Sequence, residues 1–194
     1  RQLKSGLRKV GGELVGSYSV PPGMEQFSAI AAQIRQTNAD AIYFASYGSQ
    51  QLQIIKQLRD AGLNQQLLTY SIGSLPSVIN LPESEGLIFT TQLNDLTRSD
   101  PITSRFISAW REKYKRDPSS YAQNYYNGAM LYAQLLAELE KTGQDVNGDT
   151  MRAAMLRIRT FKLAGGDIAF NDNGTSTMPI QINQVVAREM KVVG

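Results

Sequence analysis

A chain of 194 residues with 42% apolar and 19% charged side chains has room for one large globular domain or two small lobes, and a formal charge of +3 is mild. It contains neither histidine nor cysteine, which removes thiolate zinc sites, Cys-His and Ser-His-Asp nucleophile systems, and the usual proton shuttle near neutral pH. No run of about 18 apolar residues is present to cross a membrane, and Arg1 to Gly6 shows no apolar core with a cleavage site, so no signal peptide is expected in this stretch.

Residues 1–10 read as the tail of a helix, with Leu3, Leu7 and Val10 on one face and Gly11-Gly12 as its stop. No strand precedes it, so the chain is expected to start inside a β-α unit. Glu13 to Val20 alternates and is β-prone until Pro21-Pro22-Gly23 breaks it. Phe27, Ile30, Ala31 and Ile34 recur at helical spacing and predict a helix over roughly 26–38. Ala39 to Gly62 then predicts a complete β-loop-α unit. A buried strand covers 41–46, a polar loop runs from Ser46 to Gln50, and a helix near 49–61 carries a Leu52-Ile55-Leu58 stripe. Gly62 supplies the left-handed residue at its end. Such a unit places a ligand site at the carboxyl end of its strand. That end carries hydroxyl groups and an aromatic ring with no acid-base catalyst beside them, which suggests a protein that holds a small molecule.

Gln66 to Tyr70 predicts a third strand, Leu75 to Leu81 a short helix stopped by Pro82, and Gly86 to Gln92 a fourth strand. Strands alternating with helices imply a parallel sheet with right-handed crossovers, an α/β fold whose polar strand ends share one rim. After Asn94 the pattern changes. Pro101 to Arg116 is helical, Asp117-Pro118 is a stop and restart, and Ser119 to Thr142 is a long helix, with a third over Thr150 to Arg157. These helices bring large apolar faces and no sheet of their own to cover. Short strands are expected at Gly166 to Phe170 and within Met178 to Val193, around a turn at Asn171 to Gly174.

Few motifs carry chemistry. Asn171-Asp172-Asn173-Gly174 fails as a calcium loop, because Ala169 and Ile180 would fall where carboxylates are required; a hairpin turn explains it. No phosphate-binding glycine loop and no nucleophile elbow occurs. No metal or cofactor is expected. Asp40, Asp60 and Asp95 stand singly and read as caps or solvated groups. The basic clusters at 1–9 and 111–116 read as solvated helix faces, without the interleaved aromatics of a nucleic-acid groove. Tyr43 is expected in the core. Tyr47, Tyr70 and Tyr121 sit at element ends, where a ring can stack and a hydroxyl can hydrogen-bond. Tyr47 and Tyr70-Ser71 fall at two strand ends of one rim.

Several pieces in order, from Gly12-x-x-Val15 through Phe27-Ser28, Ala39-Asp40-Ala41-Ile42-Tyr43, Gln53 to Gln57, Ala61-Gly62-Leu63, Glu85-Gly86-Leu87, Tyr126 and Gly166 to Phe170 before Asn173-Gly174, resemble one family. The chain is similar to the second half of a type I periplasmic solute-binding protein of the branched-chain amino acid group. The resemblance implies two α/β lobes joined by crossing strands, with residues 1–94 and 175–194 in the C-terminal lobe and 95–174 in the returning part of the N-terminal lobe. It implies a receptor in the periplasm, or a cell-surface lipoprotein, that hands a small-molecule ligand to a membrane ABC permease and does no chemistry. A regulatory sensor of the same fold is the alternative. By resemblance Tyr47 contacts the solute and Tyr121 packs on it; Ser46, Gly48 and Tyr70 are further candidates from their place at the strand ends. Ser71 is a departure, standing where amino-acid binders have a glutamate for the ligand's ammonium. Serine cannot neutralise a buried ammonium, so a neutral or anionic solute fits better. The exposed faces expected over 101–157 imply self-association of the chain taken alone, or a missing partner segment.

Overall fold

The computed structural model describes residues 2–194 and divides into two compact units, 2–90 with 182–193, and 91–181 with 194. The first unit begins with helix α1 (Gln2–Lys9) and continues with α2 (Ser28–Arg35), strand β1 (Ala41–Tyr43), α3 (Ser49–Asp60), β2 (Gln66–Thr69), the short α4 (Pro76–Ile79) and β3 (Ile88–Gln92). The predicted stripes explain the helices. Ala31 and Ile34 of α2 and Ile54, Ile55 and Leu58 of α3 are buried with Phe27, Phe44, Leu63, Leu67, Leu87 and Phe89 in one core. The first turn of α2 has no side-chain cap of its own, and Gln57 of α3 serves instead, its Oε1 accepting from Phe27 N at 2.7 Å. β1, β2 and β3 are mutually parallel, with Ile42 opposite Leu67 and Thr69 opposite Phe89. The sheet order is β1-β2-β3-β7-β8, the last two (Ile180–Val186 and Glu189–Val192) forming an antiparallel hairpin.

Two expectations fail here for one reason. Glu13 to Val20 alternates as a strand should, yet it belongs to no strand among the described residues, and Leu14 and Val15 are exposed. The run 41–46 is expected to be a buried strand with Tyr43 in the core. β1 instead spans three residues at the edge of the sheet, and Tyr43 is 45% exposed. Alternation records a capacity for pairing; a ladder forms only where a neighbour supplies the complementary N–H and C=O groups.

The second unit holds α5 (Pro101–Tyr114), α6 (Ser120–Thr142), α7 (Gly148–Ile158), and β4 (Thr160–Leu163), β5 (Gly166–Phe170) and β6 (Ser176–Thr177). Its helix starts are conventional. Asp100 Oδ1 accepts from Thr103 N, Ser119 Oγ from Ala122 N, and Asn147 with Thr150 forms a capping box. The expectation that these helices lack a sheet is corrected. β4, β5 and β6 form a three-stranded antiparallel sheet, and Phe161 and Leu163 of β4 are buried with Leu135, Leu139 and Ala154. β4 is too short to announce itself in sequence, and it starts directly after Arg159, whose φ of 63° turns the chain out of α7. The Asn171–Gly174 segment is the expected turn, joining β5 to β6, with Gly174 at φ 80°.

Candidate functional site

The carboxyl ends of β1 and β2 are neighbours because the two strands are parallel and in register, Tyr43 opposite Leu68. The segments leaving those two ends are therefore brought together. After β1 comes Phe44 to Gly48. After β2 comes Tyr70, then a single tight turn over Ser71–Ser74. The two segments are tied directly: Thr69 Oγ1 donates to Phe44 O at 2.9 Å, and Tyr70 Oη donates to Ser46 O at 2.7 Å. The Tyr47 and Tyr70 rings meet edge to face with centroids 6.1 Å apart, a favoured aromatic geometry. Tyr47 projects from this pair and is 80% exposed, while Tyr70 and Ser71 are half-buried.

Backbone constraints fix both segments. Gly48 sits at φ 59° and ψ −140° immediately before α3, a conformation that side-chain-bearing residues rarely adopt, so its part in the loop is conformational. Gly73 lies flat on Phe89, and a Cβ there would come within 2.5 Å of that ring. The turn that carries Ser71 is thus seated on the core by the absence of a side chain. Ser74 Oγ closes it by donating to Ser71 O at 2.7 Å.

Of the six residues singled out from sequence, Ser46, Tyr47, Gly48, Tyr70 and Ser71 fall on this one rim. Ser46 is a partial exception to its expected role. It is buried, and its Oγ has no hydrogen-bond partner among the described residues, so the atom that serves the rim is its carbonyl. Tyr121 lies in the other unit, in the first turn of α6, and is half-buried. Gln51 is fully buried in the first turn of α3, on the same face as Ile54, Ile55 and Leu58 at i+3, i+4 and i+7, with neither amide atom partnered among the described residues. Its helical spacing, and not its polar type, is the signal for core placement. Among the described residues no group of three or more carboxylates could hold a metal ion, and no helix is long and apolar enough to cross a membrane. The arrangement offers an exposed ring, a hydroxyl and backbone polar groups at a sheet edge, which is chemistry for recognition.

The profile of the family described as periplasmic binding protein matches residues 1–189. The chain belongs to that family. The Leu/Ile/Val/Thr-binding protein of Salmonella typhimurium is 30% identical over 121 residues, 61% of this chain and 32% of that protein. The Leu/Ile/Val-binding protein homolog 1 of Brucella suis is 23% identical over 180 residues, 92% of this chain and 47% of that protein. Among solved structures, the leucine binding protein LivK of Thermotoga maritima superposes with a TM-score of 0.84 at 25% identity, covering 96% of this chain and 53% of that one. A solute binding protein of an R. palustris ABC transporter, in complex with benzoate, has the same fold, with a TM-score of 0.78 at 18% identity over 98% of this chain and 52% of that one. The chain thus spans about half the length, or less, of the relatives it matches, and its fold is that of the type I periplasmic binding proteins.

Proposed function

We propose that the chain is part of an extracytoplasmic solute receptor of an ABC transporter, in which the rim built by Tyr47, Tyr70 and Ser71 contacts a small solute and releases it unaltered. Residues 1–94 with 175–194 make one lobe, and 95–174 contribute to the other, Tyr121 supplying an aromatic wall from its own lobe. The receptor closes on its solute because ligand contacts favour the closed state. A membrane permease is its partner, and the periplasm or the outer cell surface its location.

The observation that carries this reading is the tie between the two strand ends, Tyr70 Oη on Ser46 O, with the Tyr47 ring held against Tyr70 and left exposed. The exposed ring is held at the place where an α/β sheet presents ligands, and Ser71 stands beside it in place of a carboxylate. An amino acid's ammonium would find no countercharge in these residues. A carboxylate or amide could accept from or donate to the hydroxyls, and an aromatic ring could stack on Tyr47. The preferred solute is therefore a small aromatic acid, short carboxylate or amide.

Calorimetry on the full-length protein with benzoate, 4-hydroxybenzoate and L-leucine tests this. The expectation is measurable binding of an aromatic carboxylate, none of leucine, and about tenfold weaker binding after Tyr47→Ala, the loss of one aromatic contact. Leucine binding with unchanged affinity in Tyr47→Ala would remove both the solute class and the site.

A further inference from the structure

Residues 92–94 and 178–181 flank the two points where the chain enters and leaves the second unit. Leu93 N donates to Pro179 O at 2.9 Å, but Pro179 has no N–H to give in return. Side-chain amides take over what a regular ladder would supply. Gln123 Nε2 donates to Leu93 O at 2.9 Å, Asn94 N donates to Gln181 Oε1 at 3.0 Å, and Asn94 Nδ2 donates to Pro118 O at 3.1 Å. One amide of this set remains incomplete. Gln92 Oε1 is buried and has no hydrogen-bond partner among the described residues.

Gln92 lines a small cleft of ≈ 20 Å³ together with Gln123, Asn124, Asn127, Gly165 and Pro179. That volume exceeds the roughly 10–15 Å³ that one water requires and is far below the hundreds of Å³ of an organic-ligand pocket. The lining is rich in amides, and a buried acceptor without a donor is costly to a fold. We propose that this cleft is a binding site for one ordered water molecule, which donates to Gln92 Oε1, makes its second contact with the Asn124 amide, and completes the lacing of the two segments. The water thereby supplies a donor to a buried acceptor that has no other partner among the described residues.

The test is a crystal structure of the protein at a resolution that shows water, paired with one of Gln92→Met and with hydrogen exchange at the Leu93 amide. The expected result is a water within hydrogen-bond distance of Gln92 Oε1, lost in Gln92→Met, with Leu93 exchanging about tenfold faster in the variant. A dry cleft, a Gln92 Oε1 found bonded to a protein group, or a water that stays put in Gln92→Met with unchanged exchange each overturns the proposal. Should Gln92→Met fail to fold, the density beside Gln92 in the unmodified protein decides alone. None of these readouts depends on a solute, so failure of the receptor reading would leave this result standing, and the reverse.

Discussion

Asn127 offers the sharpest test of how the second unit is held together. It lies on the buried face of α6, and its side chain treats Ala164 as a strand would. Asn127 Nδ2 donates to Ala164 O at 2.8 Å, and Ala164 N donates to Asn127 Oδ1 at 2.9 Å. Ala164 occupies the corner between β4 and β5 and is itself buried, and the Asn127 amide pairs both of its backbone groups. Asn127→Ala would strand one buried N–H and one buried C=O, each costing about 1–3 kcal/mol. Alanine returns roughly 0.5–0.7 kcal/mol through its better helix propensity. The net loss is about 1–5 kcal/mol, whose upper part is enough to unfold a marginal unit. Urea denaturation followed by tryptophan fluorescence measures it selectively. Trp110 is the sole tryptophan, and it packs on Phe106 and Tyr114 within the same unit, so its emission reports that unit whether or not the other unfolds with it. An Asn127→Ala protein within about 0.5 kcal/mol of the unmodified chain would refute the claim that this amide replaces a ladder pair.

Asp100 makes the stability of the same unit depend on acid. The Thr103 backbone N–H and hydroxyl at the start of α5, with the Arg98 guanidinium, hold its carboxyl down at about 2. A depressed folded pKa means the stabilisation is fully present above the unfolded value near 4 and is lost as pH falls through about 2. The side chain is a third exposed, so solvent screening cuts the ceiling of about 2 kcal/mol to about 1 kcal/mol. Trp110-detected urea midpoints should drop between pH 5 and pH 2 in the unmodified protein and drop less in Asp100→Asn; parallel curves would remove Asp100 from the account. A further expectation concerns α6, where Tyr125 is 82% and Tyr132 65% exposed on a face shared with Gly128, Ala129, Ala133 and Leu136, all exposed. An apolar face of this extent marks an interface. The chain by itself should associate with rising concentration in light scattering, and Tyr132→Lys with Leu136→Lys should suppress it. A monomer at every concentration would show that the face needs no cover.

The elements legible in sequence are those whose signal is complete within a dozen residues. α3 announces itself by its stripe and by Gly62, and α6 by the Asp117-Pro118 break before it and its leucine-rich end, and their observed ends fall within one or two residues of the expected ones. β2 is readable because both flanks carry turn chemistry. The rim is legible for the same reason: once 41–46 and 66–70 are accepted as parallel neighbours, Tyr47 and Tyr70-Ser71 must fall together. β4 is hidden because TFKL has no flank of its own, being fused to the end of α7 on one side and to the Ala164-Gly165 corner on the other. Asn127 is unreadable as a structural residue, since its partner lies 37 positions away and nothing local marks the pair.

Sheet order is the deeper limit, and it accounts for the remaining errors. Alternation in 13–20 and the apolar run at 41–45 say only that these segments can pair, not how many neighbours they have. A strand placed in the middle of a sheet and a strand placed at its edge share the same local sequence preferences, and differ in which residues are covered. Tyr43 is exposed because β1 ends the sheet, whereas Leu67 and Phe89, of similar local character, are buried because β2 and β3 stand inside it. The same logic bears on Ser46. A serine at a strand end reads as a ligand contact if its hydroxyl faces the rim, but here Tyr70 takes the Ser46 carbonyl from the rim side and the hydroxyl is buried. In the proposed site the exposed ring at this rim is that of Tyr47, and specificity there would rest on ring geometry and on groups that bear no charge.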